Sequence, residues 1–526
     1  MVRPVVWRPP EEPTAAELAV IKAVRRAKLF VFLRLHRHEL FDEQFQAELA
    51  QAYVDSPKGQ PPVPPPRLAL ATVLQAYTKA SDDEVIEATV MDRRWQLVLD
   101  CMSAEEPPFS KGTLVGFRKR LIEKDLDRRL VERTVELAAA TGGFGARALR
   151  AALDSSPLWG AGRVEDTFNL MGHALRKALG VIAVLQGRGQ AAGTAVVAAQ
   201  AGVPQLAASS LKAALDLDWD DPVARDHALT EVLGLVDRVE AFVAGQAGDQ
   251  SAAAAVRTAR QVRDQDIDLT GPAPELRRGV AKDRRISVED AQMRHGRKSR
   301  SVLFDGYKRH VLRDLDTGLV PAVGITAANV PEAAVTDDIA ADLDAAGRDL
   351  AELHIDRAYL ASALVRDRSP DLAIYCKAWR VRNAGGRFAK DQFTLDFAAG
   401  QLTCPAGIAM PFEPGKTVRF PAGTCAACPL RAQCTTSSHG RSVSIHPDET
   451  LLAELRQRQH TQDGRAKLRE RVAVEHTLAH VGHWQGRRAR YLGTRKNLFD
   501  LRRVAVVHNL HVIARQPATD SYQLAS

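Results

Sequence analysis

From about residue 148 the chain alternates strand and helix signals in an order that few architectures accommodate. The stretch ARALRAALDSSPLWGAG alternates apolar and polar residues, which predicts a strand ending near Asp154. Residues ~165–265 are Ala-rich with helical periodicity and carry no catalytic constellation, which predicts an all-helical insertion. Strand signals return near residue 300, where SVLFDGYKRHVLRDLDTGLVPAVGITAAN predicts two strands joined by the turn DLDTG. PEAAVTDDIAADLDAAG predicts a helix, LAELHID a short strand reaching Asp356, AYLASALVRDR a helix and DLAIYCKAW a further strand. A mixed sheet flanked by helices fits this order, so the fold class is α/β.

An all-α region precedes the sheet. FVFLRLHRHELFDEQFQAELAQAYV predicts helix, and LALATVLQAYTKAS, DDEVIEATVMDRRWQLVLD and KGTLVGFRKRLIEKDLDRRLVERTVELAAAT predict three more. Asp82 and Ser110 fit as N-caps. The Pro-rich stretch from Pro57 to Arg67 predicts a connector that is neither helix nor central strand. After GGFG the strand signals begin. The divisions expected are a helical domain at 1–140, a first part of the α/β domain at 145–164, the helical insertion at 165–275, a second part of the α/β domain at 285–394, a Cys-rich insert at 395–447, a helical third part at 448–515 and a tail at 516–526.

Four of the six cysteines fall in one short stretch: Cys404, then Cys425, Cys428 and Cys434. A C-x₂-C pair presents two thiolates from one tight loop, and two more complete a closed tetrahedral zinc site of the structural kind. His439 is a fallback ligand, and the bland alternative is a set of free thiols. Cys101 and Cys376 lie apart and are expected to be ordinary buried residues. The N-terminus lacks the apolar core of a signal peptide and no run of about 18 apolar residues occurs, so the expected setting is cytoplasmic, without a membrane span and with reduced thiols.

The net charge of +8 favours an anionic partner, nucleic acid first. Arg294–Arg300 (RHGRKSR), Arg118–Arg120 (RKR) and the stretch from Gly486 to Arg503, with six Arg, one Lys and one Asp, cluster that charge. Arg487, Arg488, Arg490, Arg495, Lys496, Arg297, Lys298 and Lys308 are the candidate DNA contacts, against the alternative of solvated helix faces.

The acids bring chemistry to that surface. Asp154 and Asp356 are expected at strand ends, and Glu475 on an amphipathic helix whose stripe runs through Leu468, Val472, Glu475 and Ala479, with Leu478 beside it. Three converging carboxylates suit hard divalent cations, and two such ions can clamp the attacking and leaving oxygens of an in-line displacement at phosphorus. Taken singly, each Asp is more often a turn residue, and Glu475 is the i+4 surface partner of Arg471. His476, His480 and His483 follow Glu475 without a His-Glu-x-x-His pattern; His476 and His480 are expected on the polar face, near DNA.

These segments together resemble a DDE-class transposase of bacterial insertion sequences. PPRLALATVLQAYTKASDDEVIEATVMDRRWQLVL followed by EPPFSKGTLVGFRKRL resembles that family's N-terminal helical domain. LDSSPLWGAG, HIDRAYLAS and RERVAVEHTLAHVGHWQGRRARYLG resemble its three catalytic segments, and MRHGRKSRSVLFDGYKRHVLRD its basic segment and second strand. The resemblance implies an RNase H-like catalytic domain in which Asp154, Asp356 and Glu475 hold two Mg²⁺ or Mn²⁺ ions. It also implies Arg471 as an orienter or phosphate contact, and a zinc insert before the catalytic Glu. The implied activity is cleavage at insertion-sequence ends followed by attack of the freed 3′-hydroxyl on target DNA. The implied partners are terminal inverted repeats, target DNA and a second copy of the chain, in a bacterial, nucleoid-associated setting. Two features depart from the related pattern. Leu468 stands where a Tyr is found and Gly482 where a Lys is found, so any role of that Lys passes to the downstream arginines. The rival readings are a DNA-binding descendant without activity and a stand-alone RNase H-like nuclease.

Overall fold

The computed structural model describes residues 4–54, 60–140, 148–246, 250–381 and 383–515. The family of helices at the N-terminal end comprises α1 (Ala15–Ala23), α2 (Lys28–Leu40), α3 (Glu43–Ala50), α4 (Pro65–Thr78), α5 (Asp82–Met91), α6 (Arg93–Leu99), α7 (Lys111–Glu123) and α8 (Leu126–Ala140). Short polar side chains cut this region more finely than its apolar periodicity suggests. Asp42 caps α3, Asp92 caps α6 and Ser110 caps α7, each accepting from a backbone N–H of the first turn. Asp125, in the left-handed region at φ 52°, separates α7 from α8. The expected cap at Asp82 is displaced by one residue. Ser81 accepts from the Glu84 amide while the Glu84 carboxylate takes the Ser81 amide, a capping box. Asp82 instead receives Arg118, at 2.6 and 2.7 Å. The Pro-rich connector also ends sooner than expected. Pro65 and Pro66 open α4, because the first turn of a helix needs no donor there. Pro57–Gly59 and the GGFG stretch lie outside the described residues.

The sheet begins with β1 (Leu149–Trp159) and is interrupted by α9 (Thr167–Leu185), α10 (Gln190–Gln200), α11 (Leu211–Leu215), α12 (Pro222–Ala244) and α13 (Gln250–Asp266), which enclose their own apolar core. A two-residue ladder, β2 (Ile267–Asp268) with β3 (Glu275–Leu276), closes the interruption. The helix Thr167–Leu185 is long and apolar enough to cross a membrane by length and composition, and 61% of that span is buried inside the protein. The sheet resumes with β4 (Arg294–Arg297), β5 (Leu303–Asp314), β6 (Ala322–Ala327), α14 (Thr336–Ala345), β7 (Leu350–His354), α15 (Ala363–Arg366) and β8 (Ala373–Tyr375). The strand order is β4-β5-β1-β7-β8, with β6 also paired to β5. β1 runs antiparallel to β5 and parallel to β7, and β7 runs parallel to β8. The sheet is therefore mixed. β4 is a strand the sequence does not announce; its residues, RHGR, have no apolar alternation to betray it. The helix expected from Ala358 onward shortens to a 3₁₀ turn at Arg357–Tyr359 and a single turn at α15 capped by Ser362.

The Cys-rich segment folds into small ladders: β9 (Thr394–Asp396), β10 (Gln401–Thr403) and β11 (Ala409–Pro411) in one, β12 (Thr417–Arg419) and β13 (Ser442–Ser444) in the other, with α16 (Ala422–Ala426) and α17 (Arg431–Cys434) between. Phe393, Leu402, Val418, Phe420, Val443 and Ile445 form its apolar centre. Four helices follow: α18 (Glu449–Arg458), α19 (Gln462–Glu470), α20 (Val472–Gln485) and α21 (Thr494–Ala514).

One apolar core runs through α4, α7 and α8, the face of β1 and β5, and α20 and α21. α4 is buried along almost its whole length, as a helix apolar on every side must be. α21 packs on both α8 and β6, so the N-terminal helices and the sheet share a core.

Candidate active site

Asp154 sits mid-strand in β1, opposite Val311 of β5, and not at the strand's end. β1 continues to Trp159 because Pro157 and Leu158 still pair with Lys308 and Tyr307. Asp356 lies two residues beyond β7 and caps the 3₁₀ turn, accepting from the Ala358 amide at 2.8 Å. Glu475 lies on α20. Arg471, in the break between α19 and α20, joins two of them. Its Nη1 donates to Asp154 Oδ2 at 2.5 Å and its Nη2 to Glu475 Oε1 at 2.9 Å. Burial pushes the Asp154 carboxyl above the ordinary range, and the charge of Asp356 adds to the push. The Ser155 amide and Arg471 oppose it. The first and second acids are thus close enough to feel one another, and a cation already bridges the first and third.

The expected apolar setting of Glu475 does not hold. The break at Arg471 places Leu468 on a different helix, and Val472, Glu475 and Ala479 are exposed. The buried stripe of α20 is Val474, Thr477, Leu478, Val481, Trp484 and Gln485. Glu475, with 52% of its side chain exposed, faces solvent and the arginine. His480 likewise departs from the polar face. Its ring packs at 4.3 Å from Trp484 and its Nδ1 lies 2.9 Å from Nδ1 of His508, in a cluster with His511. His476 and His483 are exposed.

Two neighbours of the acids escaped the sequence reading. Tyr359, three residues after Asp356, is buried with its hydroxyl 2.9 Å from His310 Nδ1, and His310 Nε2 lies 2.9 Å from Thr326 Oγ1. Burial, then the charge of Asp154, holds the Tyr359 phenol well above its ordinary range, and Ser155 bonds to it. Burial brings the His310 imidazole down to about 3, so it is neutral. The second neighbour is an ion-pair network. Glu352 meets Lys467 at 2.8 and 2.9 Å, Arg150 at 3.0 Å and His354 at 3.1 Å, and Arg150 also binds Glu470. Burial opposes the Glu352 charge, but those bonds outweigh it and bring its carboxyl down to about 2. Ligand atoms of Glu352, His354 and Glu470 lie within 4.8 Å of one another. Arg150 and Lys467 supply the positive charge there, so the group serves to tie β1, β7 and α19 together behind Asp356.

Cys404, Cys425, Cys428 and Cys434 line one cavity of about 40 Å³. Burial raises the Cys434 thiol; Arg441 lowers it and the three other sulfurs raise it. His439 is exposed and Cys376 is buried.

The candidate DNA contacts divide. Arg297, Lys298, Arg487, Arg488, Arg490 and Lys496 are exposed. Lys308 is buried and held by Glu332 and the Val330 carbonyl, both at 2.8 Å. Arg495 is bonded twice to Asp127, at 2.6 and 2.8 Å. Arg488 donates to the carbonyls of Gly160 and Ala161, and Arg490 to that of Ala80. Arg309 lies against Gly482 and holds the Pro157 and Gly486 carbonyls, so the place of the absent Lys is backed by a buried guanidinium.

Residues 28–120 match a family described as a transposase domain, and residues 403–514 match the transposase DDE domain. Each match spans about a fifth of the chain, and together they indicate DNA transposition in general. More particularly, the two matches support a DDE-class transposase of the insertion-sequence type. The second match contains Glu475 and Arg471 and all four clustered cysteines; Asp154 and Asp356 lie outside it. No curated protein and no solved structure matches the chain.

Proposed function

We propose that the chain cleaves DNA at insertion-sequence ends and joins the freed 3′-hydroxyl to target DNA, using Asp154, Asp356 and Glu475 on an RNase H-like sheet. The observation that carries this reading is the Arg471 bridge. One guanidinium holds both a helix acid and a strand acid 317 residues before it in the chain, and Asp356 follows β7, the strand paired in parallel to β1. The donor set is hard oxygen, which fits Mg²⁺ or Mn²⁺. Bound there, the ions would stabilise charge on the attacking and leaving oxygens. The chain's own part is positional. β1 delivers Asp154 from a rigid strand, the turn after β7 delivers Asp356, and the exposed face of α20 offers Glu475. Arg471 holds the acids together and is placed to meet a phosphate when they take up cations. Acting on two ends suits a dimer or larger assembly. The divisions given from the sequence serve this reading: helices of 1–140 to recognise ends, 145–164, 285–394 and 448–515 to build the site, with the insertion and the Cys-rich insert between. We also infer that the four thiols hold one structural Zn²⁺, since all four cysteines reach the wall of one small, otherwise largely apolar cavity and a C-x₂-C pair with two further thiolates completes a closed set.

Plasmid DNA bearing the element's ends, incubated with the chain and Mg²⁺ or Mn²⁺, is expected to be cut and joined. Asp154→Asn is expected to lower cleavage by about 10²- to 10³-fold, as loss of one well-placed charge-stabilising group does. No cleavage with any divalent ion would favour the DNA-binding descendant. Cutting of ends without joining of pre-cut ends would favour the nuclease.

A further inference from the structure

A cleft of about 990 Å³ opens next to Asp356, whose neighbour Arg357 lines it, between the turn after β7, the start of the Cys-rich segment, and α18 and α19. Arg357, Lys377, Arg380, Arg465 and Arg469 line it, with Asp391 as the carboxylate. Lys390 and Arg456 also line it but turn to the buried Glu449. Two aromatic side chains stand open in the same walls: Trp379 at 53% exposure and Phe397 at 40%. The guanidinium of Arg357, the residue after Asp356, lies 5.1 Å from the centroid of the Trp379 ring. Two exposed rings set in one wall among cations make a surface that a flat, anionic ligand would cover, at about 25 cal/mol for each Å² of apolar area buried.

The ligand's chemistry follows from the lining. A surplus of guanidinium and ammonium groups selects a polyanion. Arg357 covers one face of Trp379, and the exposed remainder of that ring, with Phe397, selects flat partners whose own faces are free. Paired, stacked bases in a duplex do not offer those faces; unpaired nucleotides do. The volume is that of a site of about 300–1,000 Å³, enough for a few nucleotides and too small for a duplex. We propose that this cleft binds unpaired nucleotides of the DNA strand adjoining Asp356, with Trp379 as the stacking platform and Arg357, Lys377 and Arg380 as phosphate contacts. The proposal rests on DNA being the substrate, and it adds a strand-binding site that the three acids do not provide.

The test uses the full chain carrying Asp154→Asn, so that no DNA is cut, and compares a short oligothymidylate with a blunt duplex of equal length by fluorescence anisotropy. Trp379→Ala in that background is expected to weaken oligothymidylate binding by about 5- to 150-fold, the range for loss of one base–aromatic stack, and duplex binding less than about twofold. Trp379→Phe should restore most of the loss. Arg380→Glu, at an exposed position, should weaken oligothymidylate binding and flatten its salt dependence without altering the melting curve. An oligothymidylate affinity unchanged in both Trp379→Ala and Arg380→Glu overturns the proposal, as does equal weakening for both ligands. A chain that binds and, with Asp154 intact, cuts duplex ends but shows no such oligothymidylate effect overturns the cleft alone. A chain that binds neither DNA overturns the transposase reading with it.

Discussion

Two basic stretches of similar composition meet opposite fates. Arg294–Arg300 forms an edge strand and the turn after it, and Arg297, Lys298 and Arg300 are exposed with no ion pair among the described residues. Gly486–Arg503 looked at least as suited to DNA, yet much of its charge is spent inside the fold. Arg495 and Arg502 converge on Asp127, Arg502 also meets Asp125 and Asp342, and Arg503 is buried against Asp500 and Gln75. The difference lies in the partners. Carboxylates on the loop and first turn of α8 and on α14 face the second stretch, whereas solvent faces the first. A run of arginines therefore marks a nucleic-acid surface only when nothing in the same chain is placed to neutralise it.

The comparison can be broken at its strongest point first. Asp127→Asn leaves the buried Arg502 without its full complement and is expected to cost about 3–5 kcal/mol of unfolding free energy, read by chemical denaturation, with duplex affinity of the folded protein changed less than about twofold. Loss of DNA binding without loss of stability would reverse the assignment of the two stretches. The converse variant, Arg297→Ala with Lys298→Ala and Arg300→Ala, should leave stability within about 0.5 kcal/mol while lowering the slope of log affinity against log salt by about 3. An unchanged slope would remove that stretch from the DNA surface.

Acid provides a third, smaller probe. Burial holds the His310 imidazole down to about 3, and those of His508 and His511 to about 4. Below pH ~6.5 the unfolded chain binds protons at these histidines that the folded chain refuses, so stability falls as pH drops from about 6.5 toward 4. Because His508 and His511 sit on α21, the docking of the N-terminal helices should loosen in that window; hydrogen exchange in α21 and α8 measures it, and protection unchanged down to pH 4 would refute it. The smallest effect is expected at Arg487, exposed in the second stretch and 4.2 Å over the Trp159 ring. Arg487→Ala should cost about 0.5–1 kcal/mol and at most about one unit of salt slope.

Much of the fold was legible. The order of periodicities announced a mixed sheet interrupted by helices, because β1, β5 and β6 are long enough to alternate clearly. Boundaries set by single side chains were less so. Asp92 and Asp125 divide stretches that read as unbroken helices, and the break at Arg471 undoes the stripe expected to bury Glu475. At the candidate site, local pattern put Asp154 on a strand, Asp356 just after one and Glu475 on a helix, but it ended the first strand near Asp154, whereas β1 runs on to Trp159. Tyr359 and His310 were not, since their meeting depends on β5 lying next to β1, a pairing that local pattern does not encode. The neutralisation of Arg495 and Arg502 was hidden for the same reason: their partners Asp127 and Asp125 lie far back in the chain, on the other side of the whole sheet sequence.

The core shared by α4, α8 and α21 has a consequence for the order of events at the ribosome. Residues 65–140 emerge early, but the surfaces of α4 and α8 that α21 covers stay wet until residue 514 has been made. Chains generally fold N-terminal units first as they emerge. Here the first unit must wait, exposed to chaperones, for the last helix. A nascent chain halted before Thr494 would hold Asp154, Asp356 and Glu475 yet lack the clamp that joins them to the helices of the first 140 residues. The joining of the first 140 residues to the sheet would then be deferred until synthesis has passed α21.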